Sequence, residues 1–264
     1  MLLKDKCLII SGIGPGLGVK LAVEAAREGA SALAISARTM VKLEDAEARI
    51  REVNPDCQVL KQVTDIREEA ACQRLVAATV SAFGRVDGLI NSAFAWSQPA
   101  PAASADLAGW REVYETNLLG SMQMIQAVVP VMQRQAKGAI VNVSTQAAVM
   151  PSGGGESAYA ASKAALGAAT RYLALELGAD NIRVNVVRMG RMWGVPIQQY
   201  LAYMAKQQNV AEQVLYDGFA ANIALKRLVT DTECARAALF MVSDYASAIT
   251  GASLDANGGE WMPT

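Results

Sequence analysis

Residues 6–18 read KCLIISGIGPGLG. The first half is a short, unbroken apolar run, the pattern of a strand buried on both faces. The second half carries Gly12, Gly14, Gly16 and Gly18, and an amphipathic run then continues to Glu28, stopped by Gly29. A buried strand that turns through glycines directly into a helix is the place where a helix N-terminus meets a pyrophosphate. A Cβ there would obstruct both the turn and the approach of backbone to phosphate. The common GxGxxG spacing fails, whereas GxxxGxG is met by Gly12, Gly16 and Gly18.

Outward from this stretch, short apolar runs alternate with amphipathic ones. Further strands are expected over 32–36, 58–63, 88–92, 139–144, 183–187 and 253–255. Helices are expected over 41–53, 67–83, 107–134, 158–177 and 232–241, with a less regular helical stretch over 196–221. Strands this apolar belong to a parallel sheet covered by helices. The expectation is one α/β domain over 1–264: a doubly wound parallel sheet of about seven strands with helices on both faces. Residues 192–225 break the alternation and are expected to cover the crevice at the strand C-termini.

Composition narrows the chemistry. The chain has 264 residues, 24 Lys+Arg against 25 Asp+Glu, four Cys and no His. Catalytic triads, Cys-His pairs and HExxH zinc sites are excluded, so proton transfer must run through other groups. Near-zero net charge without a basic stretch argues against nucleic acid. The cysteines, at 7, 57, 72 and 234, lack CxxC spacing, which disfavours a disulfide framework or zinc and fits a reduced cytoplasmic setting. The N-terminal segment does not read as a secretory signal, and no apolar run of about 20 residues could span a bilayer. Charged residues are 19% of the chain, below the roughly 25% usual for soluble domains, which favours surface hidden between subunits.

The second strand ends Ser36-Ala37-Arg38-Thr39, with no carboxylate to hold a ribose 2′-hydroxyl. Arg38 offers a planar fork to a 2′-phosphate. NADP(H) is therefore preferred, with NAD(H) possible should Arg38 be a solvated loop charge. Tyr159 and Lys163 stand four apart on an expected helix, hence on one face. An ammonium ~5 Å from a phenol, at an effective dielectric of ~20, contributes about 3 kcal/mol, enough to lower its pKa by roughly two.

These motifs together resemble the short-chain dehydrogenase/reductase superfamily, in its single-domain Rossmann-type branch, over essentially the whole length. The glycine loop resembles the family's TGxxxGxG, with Ser11 for Thr. Asn91-Ser92-Ala93-Phe94 stands at its NNAG, Asn117 at its helix asparagine, 140–145 (IVNVST) at its serine strand, and Tyr159-x-x-x-Lys163 at its catalytic pair. Residues 250–259 resemble its closing segment. The resemblance implies that Tyr159 is the general acid/base and that Lys163 lowers its pKa and holds the nicotinamide ribose. Asn117 would hold a water leading to solvent, and Thr145 would hydrogen-bond the substrate oxygen, with Ser144 as the alternative if the following loop shifts the alignment. Cofactor contacts are implied for Ser11, Gly12, Gly14, Gly16, Leu17, Gly18, Arg38, Asp65, Ile66, Asn91, Ser92, Ala93, Tyr159, Lys163, Gly190 and Met192. Asp65 with Glu68 also reads as a helix capping box.

Departures from the family pattern point to the substrate. Phe94 replaces a glycine, and Trp96 follows it. With Met150, Trp193, Tyr200 and Tyr203 they are expected to line a wide apolar pocket. Arg188 and Arg191 flank Gly190, where an acidic substrate group, the pyrophosphate or Asp/Glu partners could meet them. The leading expectation is an NADP(H)-dependent alcohol dehydrogenase or carbonyl reductase for a bulky hydrophobic or aromatic ketone. Enoyl reduction, dihydrodiol oxidation and a non-catalytic dinucleotide sensor are the alternatives. The resemblance also implies a homo-tetramer or homo-dimer built on 107–134 and 158–177.

Overall fold

A computed structural model of the chain describes residues 1–263. Its centre is a seven-stranded sheet: β1 (Cys7–Ser11), β2 (Ala32–Ala37), β3 (Gln58–Val63), β4 (Gly88–Asn91), β5 (Gly138–Thr145), β6 (Ile182–Met189) and β9 (Ser253–Ala256). The order is β3-β2-β1-β4-β5-β6-β9, and every pairing is parallel. β1 pairs with both β2 and β4, so the winding reverses beside it. That reversal opens the crevice at the strand C-termini.

Alternation along β1 assigns its side chains to the two layers. Leu8 and Ile10 face helices α1 (Leu17–Arg27), α2 (Met40–Val53) and α9 (Asp231–Val242), packing with Leu21, Leu43, Ile50 and Leu239. Ile9 faces the other side, with Leu75 of α3 (Glu69–Phe83), Ile125 and Val128 of α5 (Ser121–Gln135) and Leu177 of α6 (Ser157–Leu177). Burying strands on both faces is what their unbroken apolar runs demanded.

Three local features differ from expectation. The helix expected over 107–134 is α4 (Leu107–Tyr114), a π-helical segment (Glu115–Gly120) and then α5. The expected capping box of Asp65 with Glu68 does not form: Asp65 pairs with Arg67 at 2.6 Å, and Glu68 precedes α3 without a side-chain cap. The cover is two helices, α7 (Val195–Gln208) and α8 (Glu212–Ala220), framed by a small parallel pair, β7 (Met192–Trp193) with β8 (Val229–Thr230).

All four cysteines are free and buried. Burial raises the thiols of Cys7 and Cys234 to about 12 and those of Cys57 and Cys72 to about 11. A thiol reagent is therefore expected to label none of them in the native protein and all four after urea unfolding. No helix among the described residues is long and apolar enough to cross a membrane.

Candidate active site

The glycine loop, the C-terminal ends of the strands and the cover enclose a cavity of about 1220 Å³. This exceeds the usual range for a single small ligand, about 300–1,000 Å³. The glycines of the loop have different reasons. Gly12 has φ +96°, and a Cβ there would lie 2.2 Å from the Ala93 nitrogen. A Cβ on Gly18 would lie 2.2 Å from the Gly12 carbonyl oxygen. These two let the loop pack on itself and on the β4 exit. Gly14 meets nothing within 4 Å, and Gly16 only the Pro196 ring at 3.6 Å. Both line the cavity, with Leu17 and Gly18 beside the N-terminus of α1. Open backbone at a helix N-terminus, entered from a wide cavity, fits a dinucleotide pyrophosphate.

Past β2 the cavity is lined by Ser36, Ala37, Arg38 and Lys42. The Ser36 hydroxyl is buried without a partner, and both cations are exposed. Lys42 was not anticipated, because it stands in the first turn of α2 and reads there as an ordinary surface lysine. Asp65, Ile66, Ser92, Ala93, Gly190 and Met192 line the cavity as expected, although Arg67 holds the Asp65 carboxylate and keeps its pKa low.

Tyr159, Lys163 and Thr145 line the same cavity. Successive β5 residues point to opposite sides. Thr145 is half-buried, and its Oγ1 accepts from the Ala147 N–H at 3.2 Å. Ser144 is buried, and its hydroxyl donates to the Lys163 carbonyl at 3.4 Å. Lys163 is 2% exposed, and its ammonium donates to the Val143 carbonyl at 2.8 Å. Burial lowers its pKa from the ordinary 10.5 to about 8.

The phenol departs from the expectation that Lys163 pulls it down. Burial and the charge of Glu156 raise Tyr159 above its ordinary value, and the Thr145 hydroxyl is the group that lowers it. The Lys163 ammonium is turned to the backbone of β5. Trp96 lies against the tyrosine ring with centroids 4.4 Å apart, and Phe94 meets it edge-on at 6.2 Å.

Lysine 163 should mark the stability profile. A group whose folded pKa is depressed binds a proton in the unfolded chain before it does in the folded one, so stability rises with pH between the two values. The stability of the wild type relative to Lys163→Met is expected to rise by about 1.4 kcal/mol per pH unit from about 8 to 10.5, read by urea unfolding. The difference cancels the cysteine ionisations common to both proteins.

Several expected site residues stand elsewhere. Ser11 is buried beneath the loop and does not line the cavity. Asn91 lies behind the site, where its amide donates to Asn142 at 3.0 Å; Asn142 in turn donates to Thr170 of α6 at 3.0 Å. This chain ties β4, β5 and α6 together. Asn117, in the π-helical segment, is fully buried. It accepts from the Ala95 N–H at 2.7 Å and donates to the Ala95 carbonyl at 3.1 Å and Ser162 at 3.0 Å. Its side chain braces the β4 exit against α6. Trp193 packs edge-on against Tyr216 in a small cluster under the cover, and Tyr203 is exposed on the outside of α7. Phe94, Trp96, Met150 and Tyr200 do line the cavity, joined by Gln146, Pro196 and Ile197. Arg188 pairs with Asp255 at 2.8 Å and Arg191 pairs with Glu260, so the flanking arginines have carboxylate partners.

Comparison with known proteins agrees with this geometry. A family profile described as "Enoyl-(Acyl carrier protein) reductase" matches residues 12–260. Levodione reductase of Leifsonia aquatica is 31% identical over 258 residues, covering 97% of this chain and 94% of that protein. The crystal structure of levodione reductase superposes with a TM-score of 0.89 at 30% identity, covering 98% of each chain. L-sorbose reductase from Gluconobacter frateurii, solved with NADPH and L-sorbose, gives 0.93 at 25% identity, covering 100% of this chain and 99% of that one. The chain belongs to the short-chain dehydrogenase/reductase superfamily of oxidoreductases, which use a nicotinamide dinucleotide and act on alcohols and ketones.

Proposed function

We propose that the protein is an NADP(H)-preferring carbonyl reductase that interconverts bulky hydrophobic ketones and their secondary alcohols. The observation that carries this reading is the meeting of Tyr159, Thr145 and buried Lys163 in the cavity that the glycine loop enters. The bound nicotinamide would supply or accept the hydride. Tyr159 donates a proton to the carbonyl oxygen, and the Thr145 hydroxyl fixes both phenol and substrate oxygen. Lys163 would hold the nicotinamide ribose hydroxyls, and Asn117 positions α6 through Ser162 and the Ala95 backbone. Phe94, Trp96, Met150 and Tyr200 present the substrate with an apolar wall.

A raised phenol pKa keeps Tyr159 protonated across neutral pH, the state that reduction needs. Alcohol oxidation needs the phenolate. Its rate is expected to rise with pH through the alkaline range, while ketone reduction stays level across neutrality; steady-state rates in both directions check this. For the cofactor, Arg38 and Lys42 supply the cations for a 2′-phosphate. Replacing both by Ala is expected to lower kcat/KM for NADPH by about 100-fold or more, two charge-assisted contacts at about 1.5 kcal/mol each, and leave NADH nearly unchanged. Equal loss with both cofactors would reject this preference.

The description of the matching family profile favours enoyl reduction as the second reading, and identification of the product separates a saturated carbonyl from an alcohol. Tyr172 and Leu175, 69% and 81% exposed on α6, support self-association into a dimer or tetramer. The buried free thiols fit a reduced, cytoplasmic setting.

A further inference from the structure

We infer that the Asp231 carboxylate is a cofactor anchor that accepts a hydrogen bond from the carboxamide NH₂ of the nicotinamide ring. This rests on the proposed placing of the nicotinamide beside Tyr159. Asp231 is the first residue of α9, lines the cavity and is 7% exposed. Its oxygens keep accessible surface and have no hydrogen-bond partner among the described residues. The cations of the neighbouring segments are committed elsewhere: Arg227 pairs with Glu233 at 2.7 Å, Arg236 with Glu24 at 2.8 Å, and Arg191 with Glu260. Nor is the carboxylate needed to cap α9, because Thr230 and Glu233 form a capping box there. The helix N-terminus offsets part of the cost of burying the charge. A buried polar group without a protein partner still marks a place where a ligand completes the bonding.

The path of the chain defines the ligand. Met189, at the end of β6, pairs in register with Thr145, so residues 190–196 set out from beside the reacting centre. They end at the glycine loop, where the Pro196 ring lies 3.6 Å from the Cβ position of Gly16. Gly194 stands between these two ends. A Cβ on it would lie 2.8 Å from Asp231 Oδ2, so glycine at 194 leaves room for the carboxylate. The carboxylate is thus placed between the pyrophosphate floor and the site of hydride transfer. A carboxylate accepts only, so its partner must donate. In that half of a dinucleotide the pyrophosphate has no donor, and the ribose hydroxyls fall to Lys163 in the proposed reaction. The carboxamide NH₂ remains, with two donors. A donor on the substrate would be the competing partner, and the test separates the two.

The test is calorimetric titration of wild type, Asp231→Ala and Asp231→Asn with no ketone present. The probes are NADP⁺, its 3-acetylpyridine analogue, in which a methyl replaces the amide NH₂, and 2′-phospho-ADP-ribose, which has the pyrophosphate but no nicotinamide. The corresponding NAD⁺ series is run beside them, so cofactor preference has no bearing on the outcome. Wild type is expected to bind NADP⁺ about tenfold or more tightly than the acetylpyridine analogue. In Asp231→Ala the two should come within about twofold of each other, through loss of NADP⁺ affinity. Affinity for 2′-phospho-ADP-ribose should hold within about twofold, which also reports an intact fold. Asp231→Asn keeps the shape and a neutral acceptor, and should lie between wild type and Asp231→Ala. An NADP⁺-to-analogue ratio that is the same in wild type and both variants would overturn the inference and leave a substrate donor as the partner. A parallel change for all three probes would overturn it too, since the carboxylate would then act on the pyrophosphate. If the ratio follows Asp231 but no ketone is reduced, the anchor stands and the proposed reaction falls. If ketones are reduced and the ratio ignores Asp231, the anchor alone falls.

Discussion

Tyr159→Phe is expected to reduce kcat for ketone reduction by about 10³-fold while NADPH affinity stays within about twofold. General acid catalysis by a positioned group contributes typically 10²–10⁴-fold. With no histidine in the chain, no imidazole can take over the proton. The ring itself is retained, so the Trp96 contact and the packing of Phe94 survive the change. Only the hydroxyl is lost. Thr145→Ala should follow with a smaller loss, whereas Ser144→Ala should leave kcat nearly unchanged, because that hydroxyl turns to the backbone of α6. A larger kcat loss for Ser144→Ala than for Thr145→Ala would transfer the role to Ser144.

Gly12→Ala is expected to destabilise the fold by about 3 kcal/mol or more and to abolish NADPH binding. Two costs add: a left-handed backbone at φ +96°, and a methyl set 2.2 Å from the Ala93 nitrogen, backbone that cannot rotate away. Relief requires the loop to part from the exit of β4, which disassembles the floor of the cavity. Gly14→Ala is the contrast, since no protein atom lies within 4 Å of the added methyl. Its stability should stay within about 0.5 kcal/mol of wild type. Urea unfolding and NADPH titration of the two variants check both statements. Equal stability of the two would mean that the glycine loop is not packed as described.

The parts of this fold legible in the sequence are those set by local chemistry. Strands buried on both faces announce themselves as unbroken apolar runs, and Gly12 and Gly18 mark a loop with no room for a Cβ. Tyr159 and Lys163 share a helix face through their spacing alone. What lay beyond reach depended on tertiary partners. Asp65 is a local exception: it could cap α3 or pair with Arg67 two residues on, and it pairs with Arg67. Trp193 and Tyr203 read as pocket residues because aromatic residues in a cover segment carry no sign of which side they face. Trp193 turned to Tyr216 and Tyr203 to the outside of α7. Asn117 is a related case: its position was legible, but its amide is occupied by Ala95 and Ser162. Lys163 sits where its spacing put it, and its ammonium donates to the Val143 carbonyl.

The most direct test of the account is NADPH consumption against a panel of aliphatic, aryl and hydroxylated aryl ketones, with product analysis and Tyr159→Phe as the control. One NADPH is expected to be oxidised per secondary alcohol formed, with the best rates for a bulky hydrophobic ketone and loss of turnover in Tyr159→Phe. Undiminished turnover in that variant, or tight NADPH binding with no ketone reduced, would contradict it.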